Sequence, residues 1–302
     1  MMKHYAKPLM LGVMWTALWA TACAPPGHFV FDVAADMRNF TPPEHEGAQY
    51  FTGVCEAIRK LGRGAFMVIP GDLDPPARTR ETLDRVLGED YVMYPVVGNH
   101  ELDPPEHMEY LRALNAGGDT LPRIVRVGPP GATETCYAFD HQHAHFVVLN
   151  VYYDGQSDAV DGGDICDTLY AWLADDLARN RQPLIFVFGH EPHVAVPDMD
   201  SGQVRHRGDS LDEHPGHNQR FWTLLRKHGA VAYFCGHTHS SSVSRINGVW
   251  QIDCGHARGL GDKGAPSTFM RIHVAGDAVR CRVYRADESA TRYRLVYEEQ
   301  LR

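Results

Sequence analysis

Five short apolar runs in the sequence end in residues that bind cations or move protons. The run at 29–34 is followed by Asp36, and the run at 66–69 by Gly71-Asp72-Leu73-Asp74. The run at 92–97 leads to Gly98-Asn99-His100-Glu101, and that at 184–188 to Gly189-His190. The run at 231–234 leads through Cys235 to Gly236-His237-Thr238-His239. Each is weak alone, because Gly-Asp after a strand ordinarily makes a turn. Together they offer carboxylate, amide oxygen and imidazole, which suit Mn, Fe, Zn or Ni ions rather than a soft thiolate site. No pair of cysteines has C-x-x-C spacing, so a thiolate zinc site is not expected.

The elements that must carry these residues are read from periodicity. Continuous apolarity in the five runs, and in a sixth at 145–151, marks strands buried on both faces. Between them, apolar residues at helical spacing give helices around Phe51, Val54, Ile58 and Leu61, and around Leu83, Val86 and Leu87. Two more follow from Leu169, Trp172, Leu173 and Leu177 behind a cap at Asp167, and from Phe221, Trp222, Leu224 and Leu225 over 219–227. Later segments at 242–246, 249–253, 268–274, 278–284 and 292–297 read as strands joined by turns such as Asn247-Gly248. This order predicts an α/β fold with sheets sandwiched between helical layers. In open α/β sheets ligands sit beyond the carboxyl ends of strands, where the polar residues above fall.

The ordered set of motifs resembles the calcineurin-like metallophosphoesterase superfamily, whose pattern runs D-x-H, G-D, G-N-H-E/D, a lone His after a strand, then G-H-x-H. The matches run from Asp36 to His239, and Gly98-Asn99-His100-Glu101 and Gly236-His237-Thr238-His239 are the specific parts. The resemblance implies a four-layer α-β-β-α sandwich of two mixed sheets flanked by helices. It implies two divalent or trivalent metal ions: Asp72 bridging them, Asp36 and His239 on the first, Asn99, His190 and His237 on the second. Asn99 and His100 would contact the bound phosphate, with His100 as acid or electrostatic stabiliser and Glu101 behind it, orienting it. A hydroxide bridging the metals would attack phosphorus in line, hydrolysing a phosphate mono- or diester.

One position departs from that pattern. Two residues after Asp36, where the family carries a metal-binding His, stands Arg38. A guanidinium stays protonated and cannot ligate a cation. Arg38 either clamps a phosphate oxygen of the substrate, the preferred reading, or pairs with Asp32 or another acid. In both cases the first metal is expected to bind more weakly than the second.

The remaining composition narrows the classes. The net charge of −9 and the lack of a Lys/Arg run argue against a nucleic-acid groove, and Arg205-His206-Arg207 reads as solvated loop charge. A small phosphate ester remains open as substrate, because charge local to a metal site outweighs net charge. Lys3 and Lys7 precede an uncharged run at 9–22, too short for a bilayer span, which reads as a signal peptide at 1–22 ahead of one domain at 23–302. The site can be cut by ordinary signal peptidase or, as a lipobox, leave a lipid anchor on Cys23. Either cut takes the charge from −9 to −11 and places the chain in a bacterial periplasm or cell envelope. Disulfides are then permissible, with Cys235 and Cys254 on neighbouring strands as a candidate pair.

His141, His143 and His145 alternate and are expected on one solvated strand face. His193 does not complete H-E-x-x-H, so a zincin is not expected. The polar segment 194–218 forms either a rim over the substrate or a plain surface loop. A non-catalytic metal-containing binding or scaffold protein on the same fold is the alternative to an enzyme, and the missing His at Arg38 is what favours it. A metallohydrolase of non-phosphate esters fits less well, since the ordered motifs resemble a phosphoesterase pattern throughout. Oligomeric state is not legible.

Overall fold

The computed structural model describes residues 27–38, 47–158, 162–259, 262 and 264–302. The expected signal peptide and Cys23 lie outside these residues. Among them, no helix is long and apolar enough to cross a membrane.

Two parallel units build the centre. The first runs β1 (His28–Val33), α1 (Phe51–Leu61), β2 (Phe66–Ile69), α2 (Pro76–Leu87) and β3 (Val92–Pro95). The second runs β6 (Ala144–Val148), α4 (Asp167–Arg179), β7 (Leu184–Phe188), α5 (Pro215–Lys227) and β8 (Ala232–Cys235). Between them come α3 (Pro105–Leu114), β4 (Ile124–Val127) and β5 (Tyr137–His141). The chain closes with β9 (Ser241–Ile246), β10 (Val249–Cys254), β11 (Thr268–Ala275), β12 (Ala278–Ala286) and β13 (Tyr293–Gln300). The strands form a six-stranded sheet, β13-β12-β11-β1-β2-β3, and a seven-stranded one, β4-β5-β6-β7-β8-β10-β9. Both are mixed: β1-β2-β3 and β6-β7-β8-β10 are parallel, the rest antiparallel. The expected sandwich of two mixed sheets flanked by helices is what the chain adopts.

Strand alternation explains the layers. In β7, Leu184, Phe186 and Phe188 enter the core between the sheets, while Ile185 and Val187 join the core under the helices. In β2, Phe66 and Val68 take the first side, Met67 and Ile69 the second. Such strands read as unbroken apolar runs because both faces are buried. Aromatic rings fill the inter-sheet layer: Phe31 stacks on Phe66 at 5.5 Å and meets Phe146 edge-on at 5.2 Å.

Three expectations are corrected. His141, His143 and His145 do not share a strand, because β5 and β6 form a hairpin pairing Asp140 with His145 and His141 with Ala144. His145 is buried rather than solvated, its Nδ1 2.7 Å from Asp140 Oδ1 and its Nε2 2.8 Å from Asp176 Oδ2. Cys235 and Cys254 are free thiols on neighbouring strands, but Cys235 lies opposite Asp253, so Cys254 points to the other face. The other four described cysteines are free as well. The last helix, α5, starts at Pro215, four residues before its apolar pattern, because Pro at the first turn needs no N–H partner.

The His145 pair has a pH signature. Burial alone would lower its pKa, but the hydrogen bonds to Asp140 and Asp176 outweigh this and lift it to about 9. Stability from the imidazolium is therefore present below pH 6.5, its ordinary value, and is lost as pH rises through 9. His145→Gln should cost about 3 kcal/mol at pH 6, since a buried carboxylate loses its partner. Urea unfolding at pH 6 and 9.5 should give a fall in stability for the parent chain that the variant lacks. Equal pH dependence in the two would remove this account.

Candidate metal centre

Asp36, Asp72, Asn99, His100, His190, His237 and His239 converge through side chains at one edge of the sandwich, beyond the carboxyl ends of β1, β2, β3, β7 and β8. The turns are bound to each other through the backbone: Asp36 N donates to Gly71 O at 3.1 Å, Gly189 N to Phe234 O at 3.1 Å, and Gly236 N to His190 O at 2.9 Å. Asp36, Asp72, His237 and His239 have φ of 53°, 52°, 69° and 58°, in the left-handed region. Each such residue costs of order 1–3 kcal/mol, and such strain gathers where side chains must be aimed. Close approach also explains two glycines. A Cβ on Gly236 would stand 2.2 Å from Asp36 Oδ2, and one on Gly98 would stand 2.4 Å from Asp72 N.

The donor atoms cluster as ligands of one ion would. His190 Nε2 is 3.4 Å from Asp72 Oδ1 and 3.2 Å from Asn99 Oδ1, and His237 Nδ1 is 3.2 Å from the same amide oxygen. Atoms bound about 2.1 Å from a shared ion at tetrahedral or octahedral angles lie roughly 3.0–3.4 Å apart. On the other side, His239 Nε2 is 3.5 Å from Asp36 Oδ1. Ligand atoms of Asp36, Asp72 and His190 all fall within 4.8 Å of one another.

Hydrogen bonds set the tautomers. His190 Nδ1 donates to Pro70 O at 2.8 Å and His239 Nδ1 to Asp262, which leaves each Nε2 lone pair facing the carboxylates. Burial holds the imidazoles neutral, with His190 lowered to about 4, His239 to about 3 and His237 lower still. The carboxylates go the other way: burial and the nearby Asp72 push Asp36 well above its usual range, and burial raises Asp72. Buried like charges beside neutral imidazole lone pairs are what a bound cation would satisfy, so the residues fit a metal group.

His100 stands at the mouth, its side chain 37% exposed and its Nε2 3.7 Å from Asp72 Oδ2. Burial lowers its pKa, with Asp72 opposing. Glu101 is not aimed at that ring. Its Oε2 accepts from Gly98 N at 2.7 Å and Asp72 N at 2.9 Å, pinning two turns together.

A family model, calcineurin-like phosphoesterase, matches residues 31–241, which contain every block above. The chain belongs to the calcineurin-like phosphoesterase family. Among solved structures, the GAP50 anchor of the Plasmodium inner membrane complex is 13% identical, with a TM-score of 0.57 over 91% of this chain and 88% of its own. PhoD is 12% identical, with a TM-score of 0.56 over 90% of this chain and 72% of its own. At these identities the likeness is one of fold. No curated protein sequence matches significantly.

Against the family pattern, Arg38 does not pair with Asp32, which is taken by Arg271 at 3.0 Å. Its Nε lies 3.2 Å from Asp74 Oδ1, and its charge is felt at Asp72, His100 and His190. Five residues of the site carry no motif signal. Asp262 holds His239, and Arg205 at 3.2 Å and Arg258 at 3.7 Å hold Asp262. His206 lays its ring 4.1 Å from that of His237, so the segment expected to be solvated loop charge packs on the site. Glu191, next to His190, is buried. Burial pushes its pKa up to about 7, with Asp209 and Glu213 acting the same way. The only sequence hint was that 205–207 lie between two motif blocks.

Metal titration of the stripped protein should resolve one tight and one weaker site, with Arg38→His strengthening the weaker at least tenfold. Two equally tight sites in the parent chain would contradict the role given to Arg38. Gly236→Ala, by crowding Asp36, should weaken binding at the first site.

Proposed function

We propose that the protein hydrolyses a small phosphate mono- or diester with a metal pair at this centre. The observation that carries the reading is the convergence of Asp72, Asn99, His190 and His237 at ligand spacing, with Asp36 and His239 beside them and His100 at the mouth. Ions held there would supply positive charge to the phosphoryl oxygens and acidify water. Asp72, on the wall between the two donor groups, is the residue suited to serve both. His100, partly exposed, can hold or deliver a proton at Nε2 to the departing oxygen. The guanidinium of Arg38, steadied by Asp74, adds fixed positive charge on the side where the family's His is missing. An exported or lipid-anchored placement is part of this reading and rests on the apolar run at 9–22 and on Cys23.

Arg38 also favours a second reading, a binding protein that keeps the scaffold without turnover. One assay separates them. Purified protein, stripped and reloaded with Mn, Fe, Zn or Ni, is offered paired chromogenic mono- and diesters. Metal-dependent turnover that falls about 10²–10⁴-fold in His100→Ala is the expected outcome. Absence of turnover with every metal, while metal still binds, would give the binding protein.

A further inference from the structure

Of the three candidate imidazole ligands, His239 is the one with a carboxylate behind it among the described residues. Its Nδ1 donates to Asp262 Oδ2, while its Nε2 faces Asp36 Oδ1 at 3.5 Å. Behind His190 is a neutral carbonyl, Pro70 O at 2.8 Å, and against His237 lies the ring of His206 at 4.1 Å. The fold holds Asp262 in place from several sides. Its backbone pairs with Ala265 in both directions, Asp262 N donating at 3.1 Å and Ala265 N at 2.9 Å. Ala265 O also accepts from Nε2 of the buried His256 at 2.9 Å. Arg205 Nη1 at 3.2 Å and Arg258 Nη1 at 3.7 Å flank the same carboxylate oxygen that holds His239.

A carbonyl behind an imidazole fixes its tautomer and its orientation. A carboxylate does both and also makes the far nitrogen a more basic ligand. The one carboxylate so placed stands behind the histidine on the side of the centre where Arg38 replaces a ligand. We propose that Asp262 is a positioning residue that offsets the ligand missing at Arg38, holding His239 oriented and more basic toward the first metal ion. This rests on the metal-pair reading, because the first ion is what His239 would bind. The charge of Asp262 acts a second way. Arg205 places positive charge near His239, which opposes a cation there, and the carboxylate between their contacts counters it.

The test is Mn²⁺ titration of the stripped full chain by calorimetry, parent against Asp262→Asn and Asp262→Ala. Asn keeps the shape and an acceptor oxygen but removes the charge. First-site affinity should fall about 10–100-fold in Asp262→Asn and at least as far in Asp262→Ala, with the second site unchanged in both. A first site that binds as tightly in Asp262→Asn as in the parent would overturn the proposal and leave the metal pair standing. Equal weakening of both sites would overturn it too, since Asp262 would then only brace the edge of the sandwich. A parent chain that takes up a single ion would remove the metal-pair reading itself, and the proposal with it.

Discussion

Repulsion among buried carboxylates governs the architecture at the carboxyl edge of the sheets. Asp36, Asp72 and Glu101 are all buried, and beyond the effect of burial Asp72 raises the proton affinity of the other two and Glu101 that of Asp36. Bringing such groups out of water costs several kcal/mol apiece. The fold tolerates this by turning backbone N–H groups onto them, His237 onto Asp36 and Gly98 and Asp72 onto Glu101. The left-handed turns exist to aim those groups. A cost on the order of the whole stability margin of a domain is thus concentrated in a few residues, and the aromatic layer between the sheets must offset it.

The same edge depends on its surroundings being held still. Asp198 is paired with the buried Arg285 and accepts from Ser241 N at 2.8 Å, which fastens the start of the 194–214 segment to β9 and β12. From that anchor the chain runs to Arg205 on Asp262 and His206 on His237. The segment is therefore a fixed rim rather than a plain loop. Its charges are used inward, on groups that touch the candidate ligands.

Legibility followed burial. β2 and β7 are legible to the residue, and α1 by its stripe, because full burial writes an unbroken apolar run or a clean helical stripe into the sequence. α3 escaped notice because only Leu111 of its ten residues is buried, and β4 because its residues alternate between exposed and half-buried. The β5–β6 hairpin looks in the sequence like one histidine-bearing strand, since a two-residue turn at Gln142-His143 preserves the alternation it interrupts. The candidate ligands were readable because each follows a strand within a few residues. Asp262, His206 and Glu191 were not, because their roles arise from contacts across the fold. The cysteine pairing failed on a single residue of register, which on a strand reverses the face.

The centre straddles two sheets: Asp36, Asp72 and Asn99 come from one, His190, His237 and His239 from the other. Its donor spacing is therefore a caliper on how the sheets sit against each other. A slide of half an ångström along the Phe31, Phe66 and Phe146 layer would open or close every cross-sheet gap at once. Substitutions buried far from the edge would then be felt there as changes in cation affinity, with no candidate ligand altered.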